Sequence, residues 1–151
     1  MMHVSQKSRY ALRSLFELAR REGDGPTRIS DIAEAQAIPP RFLEVILNQL
    51  RQAGFVRSVR GAHGGYVLAR SPREITVGEM MRLIEGPLIP LDCTGNDAQT
   101  DCPFYGDCVF QVMWERAGEA LATVYDSTSF QDLLDDDEKR KLKVDALSYA
   151  I

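Results

Sequence analysis

Histidine is scarce in this chain of 151 residues, with one at position 3 and one at position 63. So few, set so far apart, make no Ser/His/Asp or Cys/His constellation visible. No glycine-rich phosphate loop precedes a helix either. An enzyme is therefore not expected, nor is a small-molecule substrate. No apolar run approaches the roughly 18 residues of a membrane span. The opening MMHVSQKSRY has no apolar stretch of the kind a secretory signal needs. The expectation is a cytoplasmic protein without a membrane partner. Cysteine is limited to Cys93, Cys102 and Cys108, an odd number gathered in one short segment with no CxxC pair. In a reducing compartment such a cluster reads as metal or redox chemistry rather than a disulfide framework.

Net positive charge is also missing. The formal charge is -4, which at first argues against nucleic acid. The distribution reverses that impression. Residues 1–90 carry 13 Lys/Arg against 9 Asp/Glu, while residues 91–151 carry 5 against 13. Between Val45 and Arg73 stand Arg51, Arg57, Arg60, Arg70 and Arg73 with no carboxylate. A local basic stripe is what phosphate binding requires, although taken alone it is as often a solvated face.

The periodicity is mainly helical. Ala11, Leu12, Leu15, Phe16, Leu18 and Ala19 form one stripe of a helix from Gln6 to Glu22, capped by Ser5 and stopped by Gly23–Pro26. A short helix, Asp31–Ala37, is expected after Ser30 as its cap. Pro39-Pro40 then breaks the chain and opens a third helix, Arg41–Ala53, with Phe42, Val45, Ile46 and Leu50 as the expected buried stripe. Gly54 sits where a left-handed residue closes a helix. Helix, tight break, helix is the helix-turn-helix outline. Strand formers at Phe55, Val56, Val59 and Tyr66–Leu68, with Gly61, Gly64 and Gly65 between them, make a basic hairpin, or wing. Thr76 and Glu79 form a capping box for a helix from Val77 to about Glu85.

Residues 87–108 have no period and hold the cysteines. A longer helix follows from about Val109 to Tyr125, with Phe110, Met113, Ala117, Leu121 and Val124 as a seam suited to pairing with another helix. Ser129–Asp132 caps one more short turn, and DDDEKRKLK beyond Leu134 reads as a solvated tail. The expected architecture is mainly α with a small β-hairpin wing: a winged helix-turn-helix over 1–86, a cysteine loop over 87–108, a dimerisation helix and short terminal helix over 109–134, and a charged tail over 135–151.

In a helix-turn-helix the second helix enters the major groove, and its first residues reach base edges. That points to Arg41 and Glu44, with Asn48 and Arg51 further along. Arg can bind guanine through two hydrogen bonds, and Glu can accept from cytosine. On the wing, Arg57 and Arg60 suit phosphate or minor-groove contact, and Gly61, His63, Gly64 and Gly65 allow close approach of backbone to DNA. A plain hairpin turn and a solubility charge are the bland readings of the glycines and of Glu44. The ordered combination is more specific than any part. The arginine stripe also counts against a winged helix used only for protein contacts.

The runs KSRYALRSLFELA, ISDIAEAQAIPPRFLEVILNQLRQAGFVRSVRGAHGGYVLA and ITVGEMMRLIEG, followed by three cysteines, resemble the Rrf2 family of regulators over nearly the whole chain. VRGAHGGYVLA is the most specific piece. The resemblance implies a homodimeric winged-helix transcription regulator that binds palindromic double-stranded promoter DNA. It implies Glu44 and Arg60 as DNA-contacting positions, and Cys93, Cys102 and Cys108 as ligands of an iron–sulfur cluster, of 2Fe-2S or 4Fe-4S type. The cysteine gaps are eight and five residues where some members have five and five. The position three after the last cysteine, a histidine in those members, is Gln111 here. The acidic N-terminal ligand of other members falls at Arg9.

Three cysteine ligands leave one iron for another donor. Gln111 and Asp107 are candidates, as are Asp101, Asp92, water and a small thiol. Zinc prefers four Cys/His ligands at short spacing, which this segment does not supply. Direct thiol oxidation is the further alternative.

Overall fold

The computed structural model describes residues 4–94 and 101–148. The expected cysteine loop thus lies partly outside the described residues, at 95–100, and so does the end of the charged tail.

Helix α1 (Gln6–Arg20) starts at Ser5, whose hydroxyl accepts from the Ser8 backbone N–H at 3.1 Å. It runs through the middle of the core and buries Ala11, Leu15, Leu18 and Ala19. Around it pack α2 (Ile29–Gln36), α3 (Pro40–Gln52), α4 (Val77–Glu85) and the start of α6 (Phe130–Ser148). Glu17 is also fully buried, at 0% exposure. Arg20, Arg21 and the Gln36 side chain at the end of α2 all donate to its carboxylate. Burial alone would raise this carboxyl's pKa, but those hydrogen bonds outweigh it and hold the group below the ordinary glutamate range.

Two starts differ from the sequence reading. α2 begins at Ile29 with Arg28 in the cap position and no side-chain cap bond, so Ser30 lies inside the helix. α3 begins at Pro40, which needs no N–H donor there. Its buried stripe is Leu43, Ile46, Leu47 and Leu50. Phe42 and Val45, expected inside, are 47% and 63% exposed. Both readings follow a helical period, and an apolar-rich helix supports two stripes about one residue apart. Packing against α1 selects the one with three leucines.

Strands β1 (Val56–Val59) and β2 (Gly65–Leu68) pair antiparallel, from Val56↔Leu68 to Val59↔Gly65. Thr27 adds a single-residue third strand: its N–H donates to Tyr66 O at 2.9 Å, and Tyr66 N–H donates back to Thr27 O at 2.8 Å. The Thr76–Glu79 capping box of α4 is formed in both directions.

Beyond Phe110 the described residues form two helices. α5 (Gln111–Asp126) returns beside α4, where Arg82 donates to both carboxylate oxygens of Asp126. Phe130, at the start of α6, is buried in the core, and its N–H donates to Ile75 O at 3.0 Å. Ser129 and Asp132 cap α6 reciprocally. The expected short turn and solvated tail are one helix of 19 residues. Its charges explain why. Asp136–Lys139, Asp137–Arg140 and Asp137–Lys141 are ion pairs three and four residues apart. The acids precede the bases, the order the helix dipole favours.

Candidate nucleic-acid interface and cysteine loop

α3 presents Arg41, Glu44, Val45, Asn48 and Arg51 to solvent. Their spacing of three and four residues puts them on one strip. Three contacts order it. The Arg41 guanidinium lies 4.9 Å from the centre of the Phe42 ring, which in turn packs 6.3 Å from the Tyr10 ring. Arg51 donates to Asn48 Oδ1 at 2.8 Å.

The wing follows α3 in the chain. Arg60, Gly61 and His63 are exposed at its tip. Two of its glycines are dictated by close backbone contacts. A β-carbon at Gly64 would fall 2.3 Å from Val59 O, and one at Gly65 would fall 2.4 Å from Thr27 O. Their role in the wing is therefore already structural. Arg57 is exposed and lines a cleft of about 360 Å³ shared with Arg21, Glu22 and Tyr66. Arg70 is engaged within the fold, by Glu79 at 3.2 Å and by the Phe55 ring at 5.3 Å.

Sequence reasoning missed Arg28. Its guanidinium donates to Ala62 O at 2.9 Å and ties the wing tip to the start of α2. No local pattern marks this bond, because it joins residues 34 apart.

The cysteine segment hangs from a strap. α4 ends at Gly86, with φ 85. Just before it, Glu85 accepts from the Ser5 N–H and from the Ser8 hydroxyl. These donors hold its carboxyl below the ordinary range. Leu88 and Pro90 then lie against α5 at Gly118. Cys93 is half-buried in a 3-10 turn, Asp92–Thr94. Cys102 is exposed, and Cys108 is half-buried just before α5. Gln111, a candidate fourth ligand, donates its side-chain amide to Glu115 Oε1 at 2.9 Å. Asp92, Asp101 and Asp107 are exposed. Among the described residues, no three His, Cys, Asp or Glu side chains stand close enough to hold one metal ion. All three cysteines are among these residues, so their thiols are not gathered around one point in this structure.

Apolar side chains crowd this end of the molecule. Phe104, Tyr105, Val109, Phe110, Val112 and Met113 are all exposed. Of the expected seam on α5, Phe110, Met113, Ala117 and Val124 face solvent and Leu121 is half-buried.

A family model described as "Rrf2: Iron-dependent Transcriptional regulator" matches residues 4–136. The chain belongs to the Rrf2 family. Among its relatives is the HTH-type transcriptional regulator CymR of Bacillus subtilis, 37% identical over 132 residues, covering 87% of this chain and 89% of the relative. Another is the HTH-type transcriptional regulator IscR of Aliivibrio salmonicida, 30% identical over 141 residues, covering 93% and 82%. The solved structure of CymR, titled the global cysteine regulator of B. subtilis, superposes with a TM-score of 0.75 at 38% identity, covering 88% of this chain and 96% of that one. T. potens IscR superposes with a TM-score of 0.74 at 35% identity, covering 92% and 90%. This Rrf2 protein is thus a winged-helix, DNA-binding transcription regulator and not an enzyme. No helix among its described residues is long and apolar enough to cross a membrane.

Proposed function

We propose that this Rrf2 protein is a cytoplasmic homodimer that binds palindromic promoter DNA and takes its signal at Cys93, Cys102 and Cys108. One observation carries the DNA reading. An exposed strip of Arg41, Glu44, Asn48 and Arg51 on α3 stands with a wing bearing Arg60 and His63, and from Val45 to Arg73, beyond Glu44, the chain has arginines and no carboxylate. Arg41 and Glu44 meet base edges in the major groove, and Arg51, Arg57 and Arg60 meet phosphates or the minor groove. Gly61, exposed at the tip, keeps the wing backbone bare enough to approach DNA, while Gly64 and Gly65 shape the hairpin that carries it.

The homodimer is supported by α5, of whose 16 residues only Gly118 is buried. Its exposed Met113 and Val124, with Phe110 at its N-cap, are apolar surface that a second copy of the helix would cover. A two-fold dimer matches a palindromic site.

At the cysteines, the family model's description as iron-dependent supports an iron–sulfur cluster, around which the three thiolates, not gathered in this structure, would have to close. Such a cluster would supply a redox- and ligand-sensitive centre. The exposure of Cys102 supports a second reading, direct oxidation of the thiol.

Anaerobic purification followed by an absorption spectrum and iron, sulfide and zinc analysis separates the two. Visible bands with matched iron and sulfide establish the cluster. A colourless, metal-free protein with three titratable thiols leaves oxidation. Promoter affinity is then measured before and after loss of the cluster, or in Cys102→Ala. Unchanged affinity throughout removes the cysteines from regulation. DNA affinity that does not fall steeply with salt would count against phosphate contacts by the arginines.

A further inference from the structure

α3 buries Leu43, Ile46, Leu47 and Leu50 yet turns a valine outward in the middle of its polar strip. Phe42, also on that side, has an internal role: its ring carries the Arg41 guanidinium and packs on Tyr10. Val45 has no such role and is the more exposed, at 63%. Arg41 lies four residues before it and Asn48 three residues after it, so both neighbour it on the helix surface. Whatever the strip faces, Val45 faces too. The long stretch without carboxylates and the arginines around it suit a polyanion. In the major groove of a duplex, an apolar side chain has one apolar group to meet, the 5-methyl of thymine.

We propose that Val45 is a specificity-determining residue that packs on a thymine methyl at one position of each half-site. The proposal rests on the reading that α3 enters the major groove. Its chemistry is selective because valine offers no hydrogen-bond group. Cytosine at the same position would present an amino donor with no acceptor and no methyl to cover. The hydrogen-bonding neighbours Arg41, Glu44 and Asn48 read adjacent bases, and Val45 reads by contact alone.

The test uses the full chain. Binding duplexes are enriched from a random library, and the enriched duplex is resynthesised with each thymine in turn replaced by deoxyuridine, which removes only the methyl. At one thymine per half-site the wild-type protein should lose about fourfold in affinity, the factor expected for one methyl-sized group withdrawn from water. Val45→Ala should bind the thymine duplex more weakly and be indifferent to uracil at that position. Because Val45 lies outside the core, its far-UV circular dichroism should match wild type. Uracil duplexes bound as tightly as the parent at every position would overturn the proposal, as would a uracil effect undiminished in Val45→Ala. Failure to enrich any duplex would instead overturn the reading of α3 as the DNA-contacting helix, and the proposal with it.

Discussion

Pro90 rests on the bare backbone of Gly118. A β-carbon built at Gly118 would lie 2.9 Å from Pro90 Cδ and 3.6 Å from Leu88 O. This contact seats the strap that leads into Cys93 on the middle of α5. The strap's other end is held where Glu85 meets Ser5 and Ser8 at the start of α1. The cysteine segment is therefore joined both to the exposed helix and to the helix around which the reading head is packed.

Gly118→Ala should unseat that strap. The substitution gains about 1 kcal/mol of helix propensity, so α5 itself is not weakened. Pro90 is a rigid ring and cannot swing aside, so the backbone from Leu88 to Leu91 has to move. Limited proteolysis should cut faster between α4 and α5, and Cys93 should be alkylated faster, with helix content unchanged. Wild-type rates at both sites would mean that the contact does not hold the strap.

Glu17 links stability to pH. Its carboxyl is pushed up by burial, but the donors Arg20, Gln36 and Arg21 prevail and depress it below its unfolded value. A depressed carboxyl stabilises the fold above the unfolded pKa, and that contribution is lost as pH falls through the folded pKa. Urea denaturation of wild type and Glu17→Gln should therefore differ at pH 7 and converge under acid conditions. Breaking a buried ion pair costs about 3–5 kcal/mol when the surviving charge stays buried. Arg20 and Arg21 are partly exposed and can turn to water, so a loss of about 2 kcal/mol is expected at pH 7. Parallel stability curves down to acid pH would remove the linkage.

Arg28→Ala should loosen the wing without unfolding the head. The residue is exposed and its bond to Ala62 O is a single tether. The melting temperature is expected to stay within a degree or two of wild type. Amide exchange at residues 60–64 should accelerate, and DNA affinity should fall several-fold as the wing loses its fixed position. Unaltered exchange at the tip would show that the Thr27–Tyr66 pairing alone positions the wing.

Met113→Glu tests the exposed face of α5. Met113 is 48% exposed in the single chain, so the substitution costs the isolated fold little. In a paired seam it would place a charge in an apolar contact. Sedimentation should show a monomer where wild type is a dimer, with the same circular dichroism. A dimer of undiminished stability would place the interface elsewhere.

Much of the molecule was legible before any coordinates. The Thr76–Glu79 box, the cap at Ser5, the break at Pro39-Pro40 and the glycine-turned hairpin are local devices, and each formed as read. They depend on residues a few positions apart, whose geometry is set by backbone sterics and hydrogen-bond reach. The α6 helix was misread because a run of charges also describes a solvated tail. The order of its acids and bases was the signal that distinguished the two.

The order of elements, the basic stretch hidden under a negative total, and the family were thus determined by the sequence alone, since all of them follow from composition and short-range pattern. The tertiary structure decided which of two apolar stripes on α3 went inside, leaving Val45 out. It also decided that Arg28 would hold the wing tip and that Pro90 would need a glycine at position 118. These are contacts between segments far apart in the chain. Packing allows only mutually complementary surfaces to meet, and no periodicity within one segment encodes the shape of its partner.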